Sequence, residues 1–124
     1  MTIALWGLAF KPGTDDVREA PSQVVIRALD ERGARVRAYD PVASATARLA
    51  LGAASRLEFA PSALAALEGA DALVIVTEWK EFRSPDFDAM HAVMRQAVIF
   101  DGRNILDPGQ ARAAGFEYTG IGRP

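Results

Sequence analysis

Three cations in this chain stand where a protein that alternates strands with helices presents groups to a ligand: Lys11, Arg18 and Arg103. Lys11 and Arg18 lie in the loop from Ala9 to Ala20, rich in Gly, Pro and charge. An apolar run, Ile3 to Leu8, precedes that loop and has the length of a buried strand. Arg103 follows Asp101-Gly102 at the end of another apolar run, Ala97 to Asp101. In open α/β sheets ligands sit outside the carboxyl ends of the strands. Two cations on one such edge fit an anionic or hydroxyl-rich ligand, and a guanidinium offers phosphate or sugar hydroxyls a planar fork. Plainer roles exist for each. Lys11 can be a solvated loop lysine, and Phe10 beside it a core or loop anchor. Arg18, among Asp15, Asp16 and Glu19, can form a loop ion pair, worth little if exposed. Arg103 can pair with Asp101 or Asp107.

Other chemistries find no support. The chain has no Cys, which removes disulfides, thiolate metal sites and a thiol nucleophile. His91 has no second His or carboxylate at ligand spacing, so no metal site is expected. Ser22 has no His in a nucleophile motif and reads as a residue of a helix start. Gly7 to Thr14 is not a P-loop, because the lysine precedes the second Gly and no Gly-Lys-Ser/Thr follows. Gly120-Ile121-Gly122 lacks a third Gly and a following helix, so it is no dinucleotide fingerprint. Asp40 ends a second strand, where an acidic residue can hold a ribose. Without G-x-G-x-x-G in the first loop, capping a helix that starts near Pro41 is the favoured role. No residue is nominated as catalytic.

The elements that must position the cations follow from pattern. Pro21 suits the first turn of a helix whose apolar face is expected at Val24, Val25, Ala28 and Leu29, with Gly33 as its left-handed cap. Ala34–Tyr39 reads as a strand with Val36 and Ala38 on one face. A weaker helix is expected over Ala43–Leu51, a short edge strand at Leu57–Phe59, and a short helix from Pro61 to Glu68. Ala72–Thr77 is almost uniformly apolar, as in a parallel strand covered on both faces. Glu78 to Phe82 is a loop or helical turn whose Glu78, Trp79 and Lys80 either line the crevice or pack on another domain. Ser84-Pro85-Asp86 reads as a helix start with Ser84 as cap; Phe87, Met90, Val93 and Met94 form that helix's apolar side. Asp107-Pro108 caps a last short helix ending at Gly115, and Phe116–Thr119 is a final strand. The result is one Rossmann-like, doubly wound α/β domain over residues 1–124. It has a mostly parallel sheet of about six strands in the order 3-2-1-4-5-6 and helices on both faces.

Composition bounds the partners. Half of the 124 residues are apolar and a quarter charged, a globular mixture. A net charge of −2 leaves no basic excess for nucleic acid. No signal peptide is seen, and no apolar run approaches the ~20 residues that span a bilayer. A cytoplasmic protein without membrane or nucleic-acid partners is expected. The first strand begins almost at Met1, which reads as a domain whose partner lies upstream, or as an excised one.

The stretch Gly7-Leu8-Ala9-Phe10-Lys11-Pro12-Gly13-Thr14-Asp15-Asp16-Val17-Arg18-Glu19-Ala20-Pro21-Ser22 resembles the signature opening the C-terminal, UDP-binding domain of the UDP-glucose 6-dehydrogenase family. Tyr39-Asp40-Pro41, Val76-Thr77-Glu78-Trp79-Lys80-Glu81-Phe82, Phe100-Asp101-Gly102-Arg103-Asn104 and Tyr118-Thr119-Gly120-Ile121-Gly122-Arg123 resemble further family blocks, in family order. The first block is shared with enzymes acting on GDP-mannose or UDP-N-acetylmannosamine; the Thr-Glu-Trp and Phe-Asp-Gly-Arg-Asn blocks are closer to the UDP-glucose branch. The resemblance implies that Phe10, Lys11 and Arg103 contact the UDP-sugar. It implies that Arg18 reaches NAD bound mainly by an N-terminal domain absent from this chain. It also implies a parent enzyme, a homodimer or higher oligomer, that oxidises UDP-glucose to UDP-glucuronate through a catalytic cysteine lying outside these residues. A stand-alone nucleotide-sugar binding or scaffold module is the alternative. We therefore expect that the isolated chain does not reduce NAD in the presence of UDP-glucose. NADH formation above a no-protein control, in a preparation free of host enzyme, would contradict this.

Overall fold

The computed structural model describes residues 1–8, 21–42, 57–77, 82 and 85–120. Its strands are β1 (Thr2–Trp6), β2 (Arg35–Tyr39), β3 (Leu57–Phe59), β4 (Ala72–Ile75), β5 (Val98–Asp101) and β6 (Glu117–Gly120). They form one six-stranded sheet in the order β3-β2-β1-β4-β5-β6, and every pairing is parallel. The expected order holds, and the sheet is parallel throughout. The described helices are α1 (Pro21–Glu31), α2 (Ala63–Ala66), α3 (Phe87–Val93) and α4 (Pro108–Ala113). The helix expected over Ala43–Leu51 lies outside the described residues.

Alternation along the strands divides the core into two layers. Ala4, Trp6, Leu73, Ile75 and Ile99 pack with Ala66 and Leu67 around α2, Met90 and Met94 of the α3 region, and Ala111 of α4. Leu5, Val36 and Ala38 pack on the opposite face with Ile26 of α1. The chain therefore lays α1 on one face and α2, α3 and α4 on the other, as right-handed crossovers demand when the strand order reverses beside β1. Phe100 of β5 points to the α1 side and is 47% exposed.

Two local expectations need correction. On α1 the buried stripe is Val25, Ile26 and Leu29, whereas Val24 is 71% exposed and Ala28 is also exposed. The helix is rotated to sink Ile26 rather than Ala28, because the larger side chain removes more apolar area from water. At α3 the cap is Asp86, not Ser84. Asp86 is extended (φ −77°, ψ 94°) and its carboxylate accepts from the Ala89 N–H. Both residue types cap well; Pro85 ends up before the helix instead of in its first turn. The Asp107 cap with Pro108 in the first turn is as expected.

The amino edge of the sheet is tied by a carboxylate. Asp71, buried just before β4, accepts the Thr2 N–H at 2.8 Å and Gln96 Nε2 at 3.2 Å, and Arg95 Nε lies 3.6 Å away. The Thr2 N–H is the main cause that holds the Asp71 carboxyl below its ordinary value, with Arg95 and Gln96 adding to it against the cost of burial. A carboxyl depressed in the folded state contributes stability that is complete above its unfolded value and lost as pH falls through the folded one. We predict that Asp71→Asn destabilises the chain at pH 7, and that the gap between variant and parent narrows as the pH falls below about 4. Urea unfolding at pH 7 and at acid pH checks this; a gap unchanged by pH would contradict it.

Candidate functional site

Three neighbouring strands, β1, β4 and β5, end on one edge of the sheet, and the local sequence brings their ends close. β1 runs out through Gly7, whose φ is +98°. A Cβ on Gly7 would lie 2.4 Å from Thr77 Cβ and 2.7 Å from the Thr77 nitrogen. Only a residue without a side chain allows that approach. The ladder then continues past the strands: Gly7 donates to the Tyr39 carbonyl at 2.8 Å and Val76 to the Trp6 carbonyl at 3.0 Å. On the other side Gly102 donates to the Ile75 carbonyl at 2.9 Å. A Cβ on Gly102 would sit 2.8 Å from that same oxygen. The ends of β1 and β5 thus both close on β4.

Two buried carboxylates hold the loops that leave this edge. Asp40, after β2, accepts the Leu8 N–H and the Val42 N–H, each at 2.8 Å. The bond to Val42 closes a turn at 41–42, the helix that Asp40 was expected to cap lies outside the described residues, and the bond to Leu8 fixes where the chain leaves β1. Asp101, the last residue of β5, is 1% exposed. One oxygen accepts the Arg103 N–H at 3.1 Å. The other accepts the Leu106 N–H at 2.9 Å and the Tyr118 hydroxyl at 2.7 Å. The turn between them carries Asn104 at φ +55°, a backbone region that Asn tolerates better than most residues. Behind the edge, Phe82 is fully buried. It stacks on Trp6 at 5.0 Å and meets Tyr39 edge-on at 6.2 Å, so the segment after β4 returns to the core there.

Arg103 is exposed on this edge, directly after β5 and next to the end of β4. Asp101 accepts its backbone N–H. Phe10, Lys11 and Arg18 lie outside the described residues, as do Glu78, Trp79 and Lys80. The segment bearing Phe10 and Lys11 starts from the same edge, since Leu8 is held against Asp40 there. His91 sits on α3, edge-on to Phe116 at 5.5 Å, in a packing position. Among the described residues no group of three or more His, Cys, Asp or Glu could hold a metal ion. No helix among them is long and apolar enough to cross a membrane. Missed from sequence were Gly102 as a close-approach glycine and the Asp101–Tyr118 pair. An Asp closing an apolar strand was the available signal for the first partner; the second partner arrives only through the sheet.

Residues 4–108 match the UDP-glucose/GDP-mannose dehydrogenase family, UDP binding domain. The chain is similar to the UDP-glucose 6-dehydrogenase of Pseudomonas aeruginosa, 57% identical over 99% of this chain and 28% of that protein. Among solved structures it resembles a UDP-glucose dehydrogenase from Pyrobaculum islandicum, with a TM-score of 0.78 and 37% identity over 97% of this chain and 25% of that one. It also resembles a UDP-D-ManNAc dehydrogenase from Pyrococcus horikoshii, with a TM-score of 0.77 and 35% identity over 98% of this chain and 25% of that one. The chain thus spans about a quarter of the length of these relatives.

The close approach at Gly7 yields a comparison. Gly7 and Gly33 both have positive φ, at +98° and +79°, but a Cβ on Gly33 meets nothing within 4 Å. Gly33→Ala should cost about 1–2 kcal/mol of backbone strain. Gly7→Ala should cost that plus about 1–3 kcal/mol for overpacking against Thr77. Urea unfolding of both variants measures the difference, and equal losses would show that the β1–β4 approach is not tight.

Proposed function

Since the chain belongs to the UDP-glucose/GDP-mannose dehydrogenase family as its UDP binding domain, we propose that it is the UDP-sugar-binding part of an NAD-dependent UDP-glucose 6-dehydrogenase, the enzyme that oxidises UDP-glucose to UDP-glucuronate. The observation that carries this reading is the placement of Arg103. It stands exposed on a turn tied at both ends to a buried carboxylate, on the edge where β1, β4 and β5 finish. Such an edge, at the point where strand order reverses, is where doubly wound sheets take nucleotides. Phe10 and Lys11 follow Leu8 in the sequence, and we assign all three residues to the UDP-sugar. Their work is binding and orientation: a cation and a guanidinium fork on the diphosphate or sugar hydroxyls.

NAD supplies the hydride acceptor in this reading, but the residues here do not fit a full site for it. The turn after β1 has no G-x-G-x-x-G. Asp40, at the position that would hold a ribose, is buried and its oxygens are engaged by Leu8 and Val42. We therefore assign NAD mainly to the N-terminal domain of the parent enzyme, a cytoplasmic oligomer, with Arg18 reaching across to it. UDP-N-acetylmannosamine oxidation is the second reading, favoured by the likeness to the Pyrococcus structure.

If Lys11 and Arg103 share one ligand, their effects are coupled. In the parent enzyme, Lys11→Ala and Arg103→Ala should each weaken UDP-glucose binding about ten- to a hundredfold, the cost of losing a charged hydrogen bond. Arg103→Lys should fail to restore affinity, because it keeps the charge and loses the fork. A double-mutant cycle by calorimetry checks this. Unchanged binding in both single variants would place these residues outside the site.

A further inference from the structure

We propose that the α1 side of β5 and β6, marked by Phe100, is the seat of a helix from the part of the parent enzyme that lies outside these residues. The inference rests on reading this chain as one domain of a longer dehydrogenase, since it spans about a quarter of its relatives' length. One row of side chains crosses the α1 face of the whole sheet: Phe59, Ala38, Leu5, Val74, Phe100 and Thr119 are register partners from β3 to β6. Ala38 and Leu5, in the layer under α1, are wholly buried. Val74 is partly buried against the same layer. Phe100 is 47% exposed, and Thr119 is exposed. Two residues back along the strands Val98 and Glu117 form the next pair, half-buried and exposed in turn. Among the described residues Val98 and Phe100 pack into neither core layer.

All-parallel sheets occur almost only with both faces covered. Here α2, α3 and α4 pack on the opposite face, and α1 packs over β1 and β2. The floor left between Val74 on β4 and Thr119 on β6 spans two strand spacings, about 10 Å, which is the width of one helix. A depression of about 560 Å³ opens over Val98, Phe100 and Thr119 and around the β6 edge. Area decides between a second copy of this chain and a segment of the same enzyme. A stable interface between separate molecules takes about 800 Å² and about 20–30 residues on each side. This floor has five, and Val74 and Val98 are already partly buried. A segment tethered to the domain meets it at an effective concentration in the millimolar range, where so small a floor suffices. The floor also sets the chemistry of the helix: apolar side chains at i and i+3 or i+4 against Val98 and Phe100, with a cation on the flank toward Glu117.

The chain contains no Cys, so Phe100→Cys places a single thiol on the floor. The test labels that thiol with a maleimide in the 124-residue chain and in the ligand-free parent enzyme, following the peptide that carries residue 100 by mass spectrometry. In the 124-residue chain the thiol should react fast, at a rate independent of protein concentration. In the parent enzyme it should react about tenfold slower or more, because a docked segment must open before the reagent enters. Equal rates in the two settings, fast or slow, would overturn the proposal. So would a rate in the 124-residue chain that falls as its concentration rises, since a second copy would then be the occupant. Should Phe100→Cys unfold, Thr119→Cys on the same row is the reporter, with the same outcomes. UDP-glucose binding by the same parent enzyme is measured alongside. Equal labelling rates with a parent that binds UDP-glucose remove the docked helix and leave the functional reading standing. A parent that does not bind it removes that reading, and slow labelling there still supports the covered floor.

Discussion

The structure depends on how the backbone is satisfied where it leaves the sheet. A strand's N–H and C=O groups are paired by the ladder, but the first residues past its carboxyl end lose those partners, and a buried unpaired amide is costly. Here two aspartates placed at strand ends supply the missing acceptors. Asp40 takes the amide of Leu8 from the neighbouring strand's exit and that of Val42 from its own. Asp101 takes both amides of the turn that follows it. Each carboxylate is buried, so each needs these donors as much as the loops need an acceptor. The consequence is a carboxyl edge whose exits are set in place by buried carboxylates.

The glycines act on the same edge by a different route. Gly7 and Gly102 let the exits of β1 and β5 press against β4, with Thr77 and the Ile75 carbonyl filling the space a side chain would need. Behind them the Trp6–Phe82–Tyr39 aromatic group and the Trp6 Nε1 bond to the Ala63 carbonyl at 3.0 Å back the edge with stiff, close-packed material. A ligand site wants this division: rigid support below and polar groups above. At the opposite edge Asp71 ties the start of β1 to that of β4, with exposed Arg95 beside it.

Strand order was legible because it rests on few physical rules. The alternation of apolar runs with helical patterns, the right hand of crossovers and the uniformly apolar β4 leave little choice of topology. Cap chemistry was legible where one candidate stood alone, as at Asp107-Pro108, and misread where Ser84 and Asp86 both qualified. The face of α1 was misread because Val24, Val25, Ile26, Ala28 and Leu29 offer two overlapping stripes, and only the sheet beneath selects between them. Arg103 could be named from its position after a strand. The partners that set it could not: Tyr118 reaches Asp101 across 17 residues and Leu8 reaches Asp40 across 32. Those pairings exist only once the strands lie side by side.

We propose the carboxyl edge of β1, β4 and β5 as the nucleotide-sugar site, and a crystal structure of this chain, or of the enzyme that carries it, grown with UDP decides it. The diphosphate is expected over the ends of those strands, within hydrogen-bond distance of the Arg103 guanidinium, with Asp101 still accepting from Arg103, Leu106 and Tyr118. UDP bound elsewhere, for instance against the exposed Phe100 face of β5 and β6, with Arg103 far from any phosphate or sugar oxygen, would contradict it.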